Sequence, residues 1–304
     1  MIAGIVEIAE DGRSLSLYRG FLKVSDGGTE LGRVPLDDIS ALILSAHQIQ
    51  ISKNIITALM ERNVTIITTG QNWHPLGITL PLGAHHAHAG ILYRQIELGE
   101  VRRKRLWQQV VCCKIENQKY ILESHSSRTD KITELGVLLK RVRSGDPDNI
   151  EAQAARHYWG ALMGKGFKRD RTLMDANRFL NYGYTVLRAA TARAVVGAGL
   201  HPALGLHHKS KVNGFALVDD LMEPFRPLVD AKVLQIATDK TELEPADKRA
   251  LAAVLQVDIL TDKGASPVIN CLHYLAQSLV TCLADKQAVL QLPHLNRSGR
   301  LFNG

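Results

Sequence analysis

The stretch 205–227, GLHHKSKVNGFALVDDLMEPFRP, gathers side chains that can do chemistry. His207 and His208 are adjacent, and Asp219, Asp220 and Glu223 follow in one short run. Asp220 and Glu223, three positions apart, share a face if the run is helical. Imidazole with carboxylate is a donor set for Mg, Mn or Zn. The competing reading is a surface turn entering a helix with an acidic first turn, which the helix dipole favours. A further carboxylate, Glu151, opens the alanine-rich segment NIEAQAARHYW, where Asn149 is a cap candidate. A first-turn glutamate is common on its own account.

No GxGxxG or GxxxxGK[ST] phosphate loop is present, nor a GxSxG nucleophile elbow, so a nucleotide-fuelled enzyme or serine hydrolase is not indicated. What remains is Glu151, His208, Asp220 and Glu223 among basic segments. A divalent ion held by carboxylates and one imidazole keeps positions open to substrate and can polarise a phosphodiester. The basic segments are Arg102, Arg103, Lys104 and Arg105; Lys140, Arg141 and Arg143; and Lys165, Lys168, Arg169 and Arg171. Each is a solvated face by default and a nucleic-acid phosphate contact by the sharper reading.

The net charge of +7 agrees with a polyanionic partner without requiring one. Cys112, Cys113, Cys271 and Cys282 form no CxxC, so they are expected to be reduced packing residues of a cytoplasmic protein. The N-terminus lacks a basic flank, and no apolar run approaches the ~20 residues that span a bilayer. Neither secretion nor membrane insertion is expected.

The elements that must position these groups change character along the chain. Residues 2–70 alternate apolar and polar positions between turn signals such as Asp26-Gly27-Gly28. One helix interrupts them after Ser52, with Ile55, Ile56, Leu59 and Met60 on a face. Residues 71–90 hold Trp73, Pro75, Gly77, Pro81 and Gly83, with His85, His86 and His88, and read as an irregular loop. Those histidines have no carboxylate nearby in sequence. From Tyr93 onward the periodicity is helical, including Asp175–Ala190, 245–260 and 267–291. In DANRFLNYGYTVLRAA, Asn177 and Asn181 share a face and can cross-link neighbouring segments. The expected fold is α+β. A small, β-sandwich-like N-terminal domain with a short helix spans 1–72, a linker 73–92, and a larger all-α catalytic domain 93–304.

In this order, the motifs resemble the CRISPR-associated integrase family, most closely its type II form, over nearly the whole chain. PLDDISALILSAHQIQIS and ITALMERNVTII look like the family's β domain with its short helix. NIEAQAARHYW, GLHH and DDLMEPFRP look like its metal-ligand motifs, and DANRFLNYGYTVLRAA like its central helix. The resemblance implies Glu151, His208 and Glu223 as catalytic metal ligands, Asp220 at or near the metal, and Arg226 beside a carboxylate or phosphate. It implies Mg or Mn and a DNA strand transfer, in which the 3′-hydroxyl of a captured prespacer attacks a phosphodiester at a CRISPR repeat. It also implies a homodimer, two of which clamp a dimer of the smaller partner Cas two, and leaves room for other type II adaptation proteins. The alternatives are a metal-dependent nuclease or resolvase of branched DNA, and a non-catalytic DNA-binding scaffold.

Overall fold

A computed structural model describes residues 4–70, 75–79, 81, 87–126, 128–164, 166–173, 175–209, 211–237, 240–261 and 264–295. Trp73, His85, His86 and Lys165 lie outside the described residues. The alternating N-terminal segments form β1 (Gly4–Ile8), β2 (Arg13–Tyr18), β3 (Phe21–Asp26), β4 (Thr29–Pro35), β5 (Ile39–Leu44) and β6 (Ile49–Ile51). Helix α1 (Lys53–Glu61), β7 (Thr65–Thr69) and β8 (Pro75–Thr79) follow. They make two four-stranded sheets, ordered β1-β5-β7-β8 and β4-β3-β2-β6. The β3–β4 hairpin turns on Gly27 and Gly28, both at positive φ, which pairs Asp26 with Thr29.

Leu15 and Leu22 of one sheet, Leu42 of the other, and Ile55 and Leu59 of α1 close on one core. Strand β5 is buried on both faces because its residues alternate between two cores. Leu42 joins the N-terminal core, while Ala41 and Ile43 join the helical one. This double burial fits the unbroken apolar run Ile39–Leu44.

Two expectations need correction. The linker 73–92 contains β8, paired antiparallel to β7, and its end already belongs to helix α2 (His88–Glu97). Pro75 hid the strand, since proline is confined to edges and strand starts, and β8 is an edge strand beginning at Pro75. The C-terminal part is not all helical either. The expected helix 245–260 ends early: α9 (Pro245–Ala252) passes through a 3₁₀ turn into β9 (Asp258–Thr261), which pairs with β10 (Gly264–Pro267). The last helix, α10, is Val268–Ala284.

The remaining helices are α3 (Glu100–His125), α4 (Thr129–Arg141), α5 (Ile150–Leu162), α6 (Ala176–Gly197), α7 (Ala216–Met222) and α8 (Arg226–Ile236). Helix α6 is buried along most of its length and forms the axis of the helical core. It packs closely on α8 because position 183 is glycine: a Cβ there would lie 2.4 Å from Val229 Cγ1. Among the described residues no helix is long and apolar enough to cross a membrane.

Candidate active site

Four segments, drawn from three separate parts of the chain, build one cleft and its support. The first is the start of α5. Asp146 and Asn149 adopt left-handed φ, and the Asp146 carboxylate accepts from the backbone N–H of Ile150 at 2.8 Å and Glu151 at 2.9 Å. Asn149 Oδ1 caps Ala152 N. The loop Gly145–Asn149 therefore satisfies several N–H groups of the first turn, where Glu151 sits.

The second segment is the histidine loop. Asp220 on α7 is fully buried, and its Oδ2 accepts from the backbone N–H of Leu206 at 2.6 Å and His207 at 2.9 Å. Its Oδ1 lies 2.5 Å from His208 Nδ1. Both oxygens are thus turned toward the histidine loop, which sets Asp220 behind His208. It fixes the proton on His208 Nδ1 and leaves Nε2 as the donor nitrogen. The hydrogen bond His208 donates to Asp220 raises the His208 pKa, against the effect of burial. Gly205 is required for this closure, because a Cβ there would meet His208 O at 2.6 Å and Asp220 Oδ2 at 2.9 Å.

The third segment is the 3₁₀ turn between α7 and α8, which carries Glu223. The fourth is α3, whose contribution the sequence did not reveal. Trp107, Lys114 and Asn117 come at helical spacing. Trp107 stacks on the His207 ring, centroids 4.5 Å apart and planes 8° apart, and meets His208 edge-on. Asn117 Nδ2 donates to Pro224 O and Pro293 O, both at 2.8 Å, which ties the Glu223 turn to α3. The Lys114 ammonium lies between the two glutamates, 2.6 Å from Glu151 Oε1 and 2.5 Å from Glu223 Oε2.

Arg226 Nη1 donates to the other Glu223 oxygen at 2.6 Å, with its guanidinium 4.2 Å over the Tyr184 ring. Burial alone would raise the Glu223 pKa, but Arg226 and Lys114 hold it down at about 2. Behind them Tyr158 and Tyr184 both donate to buried Asp230. Burial raises the Asp230 pKa to about 6.

Glu151, His208 and Glu223 line a cleft of about 630 Å³, together with Arg169, Arg171, Arg188 and Arg226. Asn177 and Asn181 aim Arg169 by accepting from its Nη1 and Nη2, each at 2.8 Å. Arg188, not singled out in the sequence, pairs with Asp219 at 2.6 Å. Asp219 therefore anchors the cleft wall.

Other basic residues do not reach this cleft. Arg102 Nη2 donates to Asp285 O and Ala288 O, which pins the segment after α10. Arg103 donates to Leu98 O, Lys104 pairs with Glu100, and Arg143 pairs with Asp148. Arg105, Lys140, Arg141 and Lys168 are exposed.

The donor set suits a hard divalent ion: two carboxylates and one imidazole nitrogen facing a shared cleft. Glu223 Oε2 is buried against the Lys114 ammonium. Among the described residues no three His, Cys, Asp or Glu side chains are gathered closely enough to ligate one ion as they lie. The cation already between the glutamates is Lys114.

The family model for CRISPR associated protein Cas1 matches residues 6–258. The CRISPR-associated endonuclease Cas1 of Neisseria meningitidis serogroup C (strain 8013) is 36% identical over 292 residues, 95% of each chain. This chain belongs to the Cas1 family. Solved structures share the fold. A casposase bound to integration product superposes with a TM-score of 0.79 at 19% identity, covering 99% of this chain and 94% of that one. The Cas6-RT-Cas1–Cas2 complex gives a TM-score of 0.78 at 20% identity, covering 94% of this chain and 36% of that longer one. The Cas1 family match spans both the N-terminal sheets and the helical segments that build the cleft.

Proposed function

We propose that this protein is a CRISPR-adaptation integrase, with DNA endonuclease activity, that joins DNA 3′-ends to phosphodiesters at a repeat. The reading rests above all on one observation: Glu151, Glu223 and His208, backed by Asp220, face a cleft lined by four arginines. Acid–imidazole chemistry and a phosphate-binding wall are thereby joined in one place. The relatives, a CRISPR-associated endonuclease and a casposase bound to integration product, support the same reaction class.

In this proposal Glu151, His208 Nε2 and Glu223 hold a divalent ion, Mg or Mn. Such an ion supplies positive charge at the scissile phosphate and at the departing oxygen. The chain's own residues do the rest. Arg169, held by two asparagines and set 5.3 Å over the Tyr184 ring, presents a fixed guanidinium to a phosphate. Arg226 keeps Glu223 ionised. Asp220 orients His208. The incoming 3′-oxygen gains the bond to phosphorus that the leaving 3′-oxygen loses, so the exchange needs no nucleotide and no covalent protein intermediate.

The active assembly is proposed to be a homodimer, two of which flank a Cas2 dimer. The Cas6-RT-Cas1–Cas2 neighbour shows that this fold occurs in complexes with Cas2. The test supplies a short DNA with free 3′-hydroxyls, a supercoiled repeat target and Mg or Mn. Strand transfer that Glu151→Gln and His208→Ala abolish, in folded protein, supports the proposal. Cutting without joining, with the partner present, would instead support a branched-DNA nuclease. Activity unaffected by a chelator would reject the metal assignment.

A further inference from the structure

The proposed reaction gives no role to Lys114, yet its surroundings are unusual. It is a lysine on the inner face of α3, with a side chain 9% exposed. Its ammonium touches one oxygen of each glutamate that faces the cleft. Buried ammonium groups are costly unless their charge is met, and here two carboxylates meet it. The benefit is mutual. Without Lys114, Glu151 and Glu223 would face each other as like charges, with only Arg226 on the far oxygen of Glu223. The pair Glu151–Glu223 with Lys114 and Arg226 is formally neutral. A dication added to all four groups would leave a surplus of two positive charges before any phosphate arrives.

We propose that Lys114 is the resident cation of the carboxylate pair: it holds Glu151 and Glu223 together in the metal-free protein, competes with the divalent ion for their oxygens, and is displaced as the ion binds. The inference rests on the metal reading given above. Lys114 is a positioning residue here. Its contacts are with the two carboxylates, and the cost of moving it weakens the ion's hold until DNA phosphate supplies the compensating negative charge. Asn117, three residues further along α3, keeps the Glu223 turn docked whether or not the ammonium stays, through its bonds to Pro224 O and Pro293 O. The displaced group is therefore the flexible lysine end and not the carboxylate wall.

The competition predicts tighter metal binding when the ammonium is removed and its stem kept. Mn²⁺ affinity of the DNA-free protein, measured by electron paramagnetic resonance of free Mn²⁺, is expected to rise about tenfold or more in Lys114→Met, within the usual range of site-to-site coupling. The metal-free variant should melt lower than wild type, with part of that loss restored by saturating Mn²⁺. Equal or weaker Mn²⁺ binding in a folded variant overturns the proposal, because it would make the lysine a structural prop for the ligands. A wild-type measurement guards against a variant that does not fold. Acylation of Lys114, followed by mass spectrometry, should be slow without metal and at least several-fold faster with saturating Mn²⁺. An unchanged labelling rate overturns the proposal as well. Glu151→Gln separates the two levels: if it binds Mn²⁺ as wild type does, the metal assignment fails whatever Lys114 does.

Discussion

Replacing Asp220 by asparagine tests the logic of the histidine loop most directly. Asp220 accepts three close hydrogen bonds, two from backbone N–H groups and one from His208 Nδ1, and it is inaccessible to solvent. Asparagine has the same shape but one oxygen. The amide oxygen is expected to stay with Leu206 N and His207 N, since turning the NH₂ toward two donors would leave both N–H groups unsatisfied at about 1–3 kcal/mol each. The NH₂ group then faces His208 Nδ1 and makes that nitrogen an acceptor. The neutral imidazole must carry its proton on Nε2, the nitrogen assigned to the ion. Loss of such a partner costs about 10–100-fold in metal affinity or activity. Asp220→Asn should therefore unfold within a few degrees of wild type while binding Mn²⁺ at least tenfold more weakly, read by titration calorimetry. Asp220→Ala, which abandons the buried Leu206 N–H and the part-buried His207 N–H, should also lose about 1–3 kcal/mol of stability in urea unfolding. Wild-type Mn²⁺ affinity in folded Asp220→Asn would refute the reasoning.

Arg169→Ala should weaken DNA binding across sequences and flatten the dependence of log K on log salt by about one unit; an unchanged slope would remove Arg169 from the phosphate contacts. Gly205→Val should push the histidine loop away from Asp220, with about 1–3 kcal/mol lost to overpacking and metal affinity falling in parallel; thermal melts and Mn²⁺ titration of the same sample check both. Glu223 has a folded-state pKa of about 2 against an ordinary 4.5, so its ion pairs stabilise the metal-free protein above pH 4.5 and are lost as pH falls toward 2. That gap corresponds to roughly 3 kcal/mol, and Glu223→Gln should show a shallower acid limb in denaturant unfolding than wild type.

The legible parts of the site were those carried by local sequence. The spacing from Gly205 to His208 is a loop closure that leaves no room for a Cβ, and Asp219 and Asp220 lie on the helix that follows it. Asn149 marked the start of α5 because capping is a local hydrogen-bonding event, whereas the part played by Asp146 emerged only in the structure. Asn177 and Asn181 stood out as a shared helix face, and they grip Arg169 and the chain around it. Clustering of charge was a poorer guide. Within the run Arg102–Arg105, Arg102 serves as a structural pin, whereas the cation at the heart of the site, Lys114, is a single lysine within a long helix. Nothing in its local sequence distinguishes it from a solvated residue.

By itself the sequence determined the β-then-α order, the family, and the short-range devices that shape each ligand segment, because turns, caps and periodicity are set by residues close along the chain. The tertiary structure decided which of those segments meet. The contributing residues of α3 lie more than thirty positions before Glu151 and more than ninety before His208, yet they set Trp107 against the histidine loop, Asn117 against the Glu223 turn and Lys114 between the two glutamates. It also decided that Asp220 stands behind His208 rather than beside it, since only packing buries that carboxylate and turns its oxygens toward the loop. Residue type states what a side chain can donate or accept; burial and neighbours decide what it faces.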